Sequence, residues 1–199
     1  MERAFERLEA LNTVVIGEQT ISGHNTDAPG FARFLRDDAG FDPAGKTALL
    51  YGAGGAARAC ALALARASLR RLVVAVRDPD KARGLREAIH DLPTELVTIG
   101  FGDAPRHAAD VVVNATPLGS GGEELPLPLF GRETLVVDLV YEPAITPLQT
   151  VAREAGAAAF GGLGLLLHQA ALSFELWTAQ VAPLDVMSAA ALAALAERS

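Results

Sequence analysis

Small residues follow the apolar run KTALLYG (46–52) at a spacing suited to holding phosphate groups. Gly52, Gly54 and Ala57 form the pattern G-x-G-x-x-A, with a strand expected before it and a helix after it. In such a turn the first glycine permits the bend, the second lets the backbone approach a pyrophosphate, and the third small residue allows close helix packing. Backbone N–H groups at the helix start then attract the phosphates. A tight turn without a ligand is the alternative. The residues expected to contact a dinucleotide are Gly52, Ala53, Gly54, Gly55 and Ala56.

The end of the second predicted strand indicates which dinucleotide would bind. An NAD site often has an acidic residue there, which accepts a hydrogen bond from the adenosine ribose. This chain has Arg77 instead, with Lys81 in the same segment, and a guanidinium suits the 2′-phosphate of NADP. Asp78 would oppose that phosphate if its side chain faced the ligand, and solvated surface cations are the alternative for Arg77 and Lys81. We predict NADP as the cofactor.

Polar residues at the end of the fourth predicted strand are placed to reach the other half of the same ligand. The stretch VVVNATPLG (111–119) ends an apolar run with Asn114, Thr116 and Pro117. In a doubly wound sheet this end of a strand faces the ligand crevice. These three residues are therefore expected to contact the nicotinamide half, and capping of a turn is their alternative role.

Short apolar strands alternate with helical segments along most of the chain. The strands are apolar throughout rather than alternating, which is typical of a parallel sheet covered on both faces. We therefore predict an α/β fold, a doubly wound, Rossmann-like parallel sheet with helices on both faces, and we expect Phe174 and Trp177 in its core. Strands are expected at 46–52, 71–76, 95–100, 109–116, 134–140 and 157–160, and helices at 55–67, 78–90, 146–156 and from Leu163 onward with a break near Pro183.

The first forty residues do not continue this alternation. Residues 1–10 are helix-like, residues 12–27 resemble a hairpin or loop, and residues 28–40 form a second helical pattern. A segment of this size is too small to enclose a core of its own. We expect it to be the edge of something larger.

Composition narrows the class of function. Half of the 199 residues are hydrophobic (50%) and the net charge is −7, which argues against nucleic-acid binding because that requires a basic face. The one cysteine, Cys60, excludes an internal disulfide and fits a reducing compartment. The chain starts with charged residues, and its longest uncharged stretch, 155–174, contains four glycines, so neither a leader peptide nor a membrane span is expected. We predict a cytoplasmic protein that binds a small molecule and no metal.

Several separated motifs together resemble the shikimate dehydrogenase family. They are LNTVVI, GHNTDAPGF, YGAGGAARA, VNATPLG, DLVYEPAITPLQTVAREAGA and GGLGLLLHQAALSFELW, in this order, and they extend from Asn12 to about Trp177. The combination of NTD, NATP and GLGLLLHQA is far more specific than the glycine turn alone. The resemblance implies an NADP-dependent oxidoreductase that interconverts 3-dehydroshikimate and shikimate in aromatic amino-acid biosynthesis, the chorismate pathway.

The same resemblance implies roles for individual residues. Asp27 of NTD matches a catalytic aspartate that also contacts the substrate, and Asn12 and Gln169 match further substrate contacts. Tyr141 matches a tyrosine near the substrate and the nicotinamide. Taken alone, Asp27 and Asn25 are better explained as turn residues before a helix, and Gln169 is equally explained as a buried amide bonded to the backbone. Gly162 and Leu163 match the segment that flanks the nicotinamide ring, and Leu139 is a further expected cofactor contact.

The chain departs from the family pattern in two places. The family's motif after the second strand is usually Asn-Arg-Thr, whereas this chain has Val76, Arg77 and Asp78, so only the arginine carries over. The family's first domain carries a Ser-x-Ser pair and a catalytic lysine, and neither Lys46 nor Lys81 matches that lysine. The resemblance therefore leaves the catalytic aspartate without its partner in this chain.

These departures set the expected domain organisation and keep three functions open. We expect residues 1–40 to be a remnant edge of the substrate domain and residues 41–199 to be the NADP-binding domain with C-terminal helices. The first function is a shikimate dehydrogenase that is impaired when this chain is alone. The second is a non-catalytic NADP-binding module, and the third is another dehydrogenase of the same architecture, such as a quinate/shikimate dehydrogenase. The expected partners are shikimate or 3-dehydroshikimate, with a second copy of the chain or a separately supplied substrate domain.

Overall fold

The computed structural model describes residues 10–121 and 125–197, which form a hairpin, a six-stranded sheet and six α-helices. The strands are β1 (Thr13–Ile16), β2 (Ile21–His24), β3 (Thr47–Tyr51), β4 (Arg71–Val76), β5 (Glu95–Gly100), β6 (Val111–Asn114), β7 (Leu135–Asp138) and β8 (Ala158–Phe160). The helices are α1 (Asp27–Asp37), α2 (Gly55–Arg66), α3 (Arg83–Ile89), α4 (Pro147–Glu154), α5 (Leu163–Thr178) and α6 (Leu184–Ala196).

The large sheet is parallel throughout, in the order β5-β4-β3-β6-β7-β8. The chain winds outward from β3 in one direction through β4 and β5, and in the other through β6, β7 and β8. The two directions meet between β3 and β6, and a crevice at the carboxyl ends of the strands is the usual ligand site in such sheets. The predicted doubly wound fold is confirmed.

Both faces of the sheet are covered because each strand carries apolar side chains in both directions. On β3, Ala48 and Leu50 join a core with α1, α2 and α3, whereas Leu49 and Tyr51 join a second core with α4 on the opposite face. All four of these side chains are fully buried. The uniformly apolar strands therefore reflect burial from two sides.

Two connections differ from the sequence prediction. The helix expected over 78–90 is divided into a 3-10 turn, Pro79–Ala82, and the α-helix α3. The carboxylate of Asp78 accepts a hydrogen bond from the backbone N–H of Asp80 (3.0 Å) and so caps the 3-10 turn. A second 3-10 helix, Phe101–Arg106, follows β5 and contains Pro105. No helix was predicted for this segment.

The front of the chain packs on the sheet domain instead of standing apart from it. Strands β1 and β2 pair antiparallel, and α1 packs between α2 and α5, so that Phe31 and Phe34 belong to the same core as β3. The hairpin leaves Ile16 and Ile21 each 78% exposed. The helix predicted at 1–10 lies outside the described residues except for its last position.

The expectation that Trp177 lies in the core is wrong. Its side chain is 60% exposed and lies across the hairpin, where the indole Nε1 donates a hydrogen bond to the Val14 carbonyl (2.9 Å). Phe174 is half-buried. Among residues 10–121 and 125–197, no helix has both the length and the apolar character needed to cross a membrane.

Candidate cofactor and substrate site

The turn after β3 has a shape that only glycine fits at its first position. Gly52 has φ +101°, and a Cβ built there would lie 3.0 Å from Thr116 Cγ2 and 3.1 Å from the Ala115 carbonyl oxygen. Its N–H donates to the Ala75 carbonyl at 2.9 Å, which ties the turn to β4. The bend therefore needs both a left-handed backbone and close contact with the loop after β6.

The next residues leave the start of α2 open to a ligand. A Cβ at Gly54 or Gly55 would meet nothing within 4 Å, and both residues are exposed. The helix begins without a side-chain cap and without an acidic residue in its first turn. Ala57, one turn on, is fully buried against the sheet. Unpaired N–H groups at a helix start are a natural site for phosphate, so this turn fits a dinucleotide pyrophosphate.

Two cationic side chains follow β4, next to a carboxylate that already accepts a hydrogen bond. Arg77 is exposed, with its guanidinium 6.0 Å from the centroid of the Phe101 ring, and Lys81 is exposed in the following 3-10 turn. The Asp78 carboxylate caps that turn, so one of its oxygens is already paired with a backbone N–H. This reduces the repulsion that Asp78 would exert on a ligand phosphate.

A buried polar network shapes the loops that follow β6 and β7. Asn114 and Asp138 are fully buried side by side, and the Asn114 Nδ2 donates to the Asp138 carboxylate (2.9 Å) and to the Leu118 carbonyl (3.0 Å). The Asn114 Oδ1 accepts from the N–H (3.1 Å) and hydroxyl (2.7 Å) of Thr116. Asn114 thus holds the turn, as the turn-capping alternative predicted. Both polar atoms of its side chain have hydrogen-bond partners within the protein.

The same network reaches the helix that follows β7. Asp138 accepts hydrogen bonds from the Thr146 hydroxyl (2.6 Å) and the Val140 N–H (3.1 Å), and Thr146 in turn caps α4 by accepting from the Gln149 N–H (3.3 Å). Burial raises the pKa of Asp138 above its ordinary value, and these hydrogen bonds oppose the shift. One carboxylate therefore fixes the loops after both strands relative to each other.

We expect Asp138→Asn to lower the free energy of unfolding by about 2 kcal/mol, because the new amide NH₂ would face groups that now donate to the carboxylate. Urea unfolding at pH 7 measures the loss. Asp185→Asn, at an exposed position in the first turn of α6, is the matched control and should shift the midpoint little. Equal midpoints for the two variants would contradict the role of Asp138.

A second polar cluster joins β1, α1 and α5. The Asn12 Nδ2 donates to Asp27 Oδ1 (2.8 Å) and lies 3.5 Å from Gln169 Oε1, which also accepts from the Thr26 hydroxyl (3.3 Å). The Asn12 Oδ1 accepts from the Thr26 N–H at 3.0 Å. The structure therefore brings together Asn12, Asp27 and Gln169, which lie far apart in the sequence.

The Asp27 carboxylate does not cap the helix that Asp27 begins. Asn25 is the capping residue, since its Oδ1 accepts from the N–H groups of Asp27 (3.1 Å) and Ala28 (3.2 Å). Only Oδ1 of Asp27 is engaged within the described residues, which leaves Oδ2 available to a ligand. Desolvation by burial raises the pKa of Asp27, and the hydrogen bond from Asn12 lowers it by a smaller amount.

A close helix crossing positions Gln169. A Cβ at Gly30 of α1 would lie 2.8 Å from the backbone nitrogen of Gln169 on α5, so the two helices meet without a side chain between them. The Gln169 Nε2 donates to the Leu166 carbonyl (3.0 Å) on its own helix. The amide is therefore hydrogen-bonded to the backbone, as the alternative explanation of Gln169 predicted. Its Oε1 still joins the Asn12 cluster, so both descriptions hold.

The start of α5 lies against the end of β7. A Cβ at Gly162 would overlap the Leu139 carbonyl, so these two positions are in direct backbone contact. Gln169 lies two turns along the same helix, about 10 Å from Gly162 at 1.5 Å per residue. Tyr141 is 49% exposed in the loop after β7. Gly162, matched to the nicotinamide side, and Gln169, matched to the substrate, therefore belong to the same helix.

Sequence reasoning missed the residues that support these clusters. Thr13 and Thr26 both hydrogen-bond the buried hydroxyl of Ser173, at 2.7 and 3.1 Å, and Asp138 with Thr146 supports the β6 and β7 loops. A polar residue within an apolar segment is the sequence signal that could have indicated them. Ser173 lies inside an apolar helix and Asp138 at the end of an apolar strand. The sequence carries no signal for which residue each one meets.

The parallel sheet, the uncapped glycine turn at its crossover and the polar cluster beside it define a doubly wound dinucleotide-binding protein. A family profile described as the shikimate 5′-dehydrogenase C-terminal domain matches residues 162–192. A shikimate dehydrogenase (NADP(+)) of Desulforamulus reducens is 40% identical over 197 residues, covering 94% of this chain and 68% of that protein.

Solved structures give the same result. Shikimate 5-dehydrogenase of Thermus thermophilus, in complex with NADP(H) and shikimate, matches with TM-score 0.80 and 36% identity over 96% of this chain and 71% of that one. Quinate dehydrogenase of Corynebacterium glutamicum, in complex with NAD, matches with TM-score 0.86 and 31% identity over 95% and 70%. The chain belongs to the shikimate dehydrogenase family. It spans about two thirds of the length of its curated relatives, between 64% and 70% for three of them.

Proposed function

We propose that this chain forms the NADP-binding part and the substrate-facing aspartate of an enzyme that interconverts 3-dehydroshikimate and shikimate in aromatic amino-acid biosynthesis. The observation that carries the proposal is the contact of Asn12 with Asp27 (2.8 Å) and with Gln169 of α5 (3.5 Å). A binding module without catalysis would not need these three polar groups together. Similarity to relatives named shikimate dehydrogenase (NADP(+)) supports the same substrate.

The chain's own groups fit the cofactor. The open turn at Gly54 and Gly55 would hold the pyrophosphate, Arg77 and Lys81 would hold the 2′-phosphate, and the loop containing Thr116 and Pro117, which Asn114 shapes, would face the nicotinamide half. NADP, when bound, supplies or accepts the hydride. These residues bind and orient it.

The substrate half of the site binds a polyhydroxy acid and takes part in proton transfer. Asn12 and Gln169 offer amides for hydroxyl groups, and Asp27 Oδ2 accepts a hydrogen bond from a substrate hydroxyl or a neighbouring ammonium. Reduction of a ketone produces an alkoxide, which needs a proton donor. Lys46 directly precedes β3, so it lies at the amino ends of the strands and not at the carboxyl ends, where the crevice lies. Its Nζ is 5.1 Å from the Phe41 ring centroid. We propose that the donor comes from the part of the family's sequence outside this match.

We propose that residues 1–40 are a remnant edge of the substrate domain and that residues 41–199 are the NADP-binding domain with C-terminal helices, with α1 packed in the common core. The exposed Ile16 and Ile21 of the hairpin support a second copy or a separate substrate domain as partner. A buried, reduced Cys60 fits a cytoplasmic protein.

Cofactor preference tests this function directly. We expect the chain to bind NADPH more tightly than NADH, and Arg77→Gln to weaken NADPH binding about tenfold while changing NADH binding little, because a charged hydrogen bond to phosphate is lost. Titration of the fluorescence of each reduced cofactor measures both affinities. Equal affinities in the unaltered chain would contradict the NADP assignment and favour the NAD-linked relatives of the same architecture.

A further inference from the structure

Arg58 carries a charge that the described contacts leave unbalanced. It lies in the first turn of α2, directly after the buried Ala57, and its side chain is largely but not fully buried. Its Nε is buried without a hydrogen-bond partner. Across residues 10–121 and 125–197, neither a hydrogen bond nor an ion pair to this guanidinium is found. A buried polar atom without a partner is unfavourable, so an anion that accepted a hydrogen bond from Nε would remove this cost.

The direction of the side chain shows where that anion would lie. A Cβ built on Gly84, in the first turn of α3, would lie 3.5 Å from both Cδ and Nη1 of Arg58. The guanidinium therefore extends from α2 toward the start of α3, and the missing side chain at Gly84 gives it room. The segment just before α3 contains Arg77 and Lys81. Arg58 thus reaches from α2 toward the segment that follows β4.

Nearby acidic groups do not neutralise Arg58. The first turn of α2 has no acidic residue. The Asp78 carboxylate accepts from the Asp80 N–H and caps its own turn. A Cβ at Gly54 or Gly55 would meet nothing within 4 Å, so the Arg58 side chain leaves the pyrophosphate turn open. The adenosine ribose of a dinucleotide is expected at the end of β4.

We propose that Arg58 is a specificity-determining residue that binds the 2′-phosphate of NADP from the α2 side, together with Arg77. The proposal rests on the proposed NADP-dependent function. A guanidinium suits this task because its planar donors bind phosphate in a fixed, often bidentate geometry. Ligand binding would also give the buried Nε the hydrogen-bond partner that it lacks among the described residues.

The experiment compares NADPH and NADH binding by the unaltered chain, Arg58→Gln, Arg58→Lys and Arg132→Gln. The last variant removes the same charge from an exposed position before β7, at the amino edge of the sheet. We expect Arg58→Gln to weaken NADPH binding about tenfold and NADH binding less than twofold, with Arg58→Lys intermediate and Arg132→Gln unchanged. Competition by 2′,5′-ADP should fall in parallel, while competition by 5′-ADP should not.

The outcomes separate this proposal from the function on which it rests. Lack of NADPH preference in the unaltered chain would remove the NADP assignment and this proposal with it. An NADPH preference that Arg58→Gln leaves intact would show that Arg58 only packs over α3, and equal losses of NADPH and NADH would place it at the pyrophosphate. Either result overturns the proposal while the function stands. Circular dichroism checks folding, and if Arg58→Gln unfolds, Arg58→Lys must still show a selective loss of NADPH.

Discussion

Asp27→Asn should lower the rate of shikimate oxidation by ~10²–10⁴-fold, the usual cost of losing a group that takes part in proton transfer. The assay uses this chain fused to the remaining third of a curated relative, with saturating NADP and shikimate. The asparagine can still accept the hydrogen bond from Asn12, so the cluster geometry is retained. It cannot carry the negative charge that would hold an ammonium or balance a transferred proton.

Two controls separate lost chemistry from lost structure. NADPH affinity should be unchanged in Asp27→Asn, because the carboxylate lies in the substrate cluster. Asp37→Asn makes the same change at the other end of α1, where Asp37 is exposed and paired with Arg36, and it should leave turnover close to that of the parent. Turnover of Asp27→Asn within twofold of the parent would rule out a catalytic role for this residue.

The same substitution should not destabilise the fold at neutral pH. Burial raises the pKa of Asp27 above its ordinary 3.8, so the folded chain binds this proton more tightly than the unfolded chain does. Stability then decreases as the pH rises from about 4 through the folded-state pKa. The amide is free of that cost, so Asp27→Asn should melt no lower than the parent at pH 7, and any advantage should disappear near pH 4.

Gly162→Ala should lower the free energy of unfolding by about 3 kcal/mol or more, at the upper end of the cost of overpacking. The new Cβ would overlap the Leu139 carbonyl oxygen and would lie 2.6 Å from the carbonyl carbon and 3.0 Å from Cα. Backbone atoms cannot rotate away as a flexible side chain can. Relief requires the start of α5 to move off β7, which would also displace Gln169 from its partners.

Urea unfolding measures this loss, and Gly102→Ala is the matched control. A Cβ at Gly102 would meet nothing within 4 Å, so that variant should unfold near the parent midpoint. NADPH titration of any Gly162→Ala that remains folded should show weaker binding, because we propose that the α5 start flanks the nicotinamide. Coinciding midpoints for the two variants would mean that α5 and β7 are not held in this contact.

Local signals accounted for much of the fold. The apolar runs predicted all six sheet strands, usually with one or two extra residues at the ends, because burial from both faces needs an unbroken apolar sequence. The glycine turn was predictable for the same reason: the bend at Gly52 and the open start at Gly54 are each required by local backbone geometry. Helix α3 began later than predicted because Asp78 and Pro79 favour a short 3-10 turn first.

Residues that depend on distant partners were not predictable from local pattern. Ser173 meets Thr13 across 160 positions, and Asp138 meets Asn114 across 24, so neither contact leaves a periodic signal. Asp27, Asn12 and Gln169 were recognised only through resemblance to a family, since each has an ordinary local explanation. Trp177 was misplaced because a large aromatic residue on an apolar helix resembles a core residue even when it covers a hairpin.

The β3–β6 pairing bears on how the protein reaches its folded state. Tyr51 pairs with Asn114 although β4 and β5 lie between them in the chain, and the network that holds the two loops also needs Asp138 and Thr146. Such long-range pairings slow folding, because distant segments must meet before the contacts stabilise them. A dinucleotide that binds across this crevice would stabilise the completed fold by mass action. Cofactor supply would then influence how much folded protein a cell retains, in addition to the rate at which that protein works.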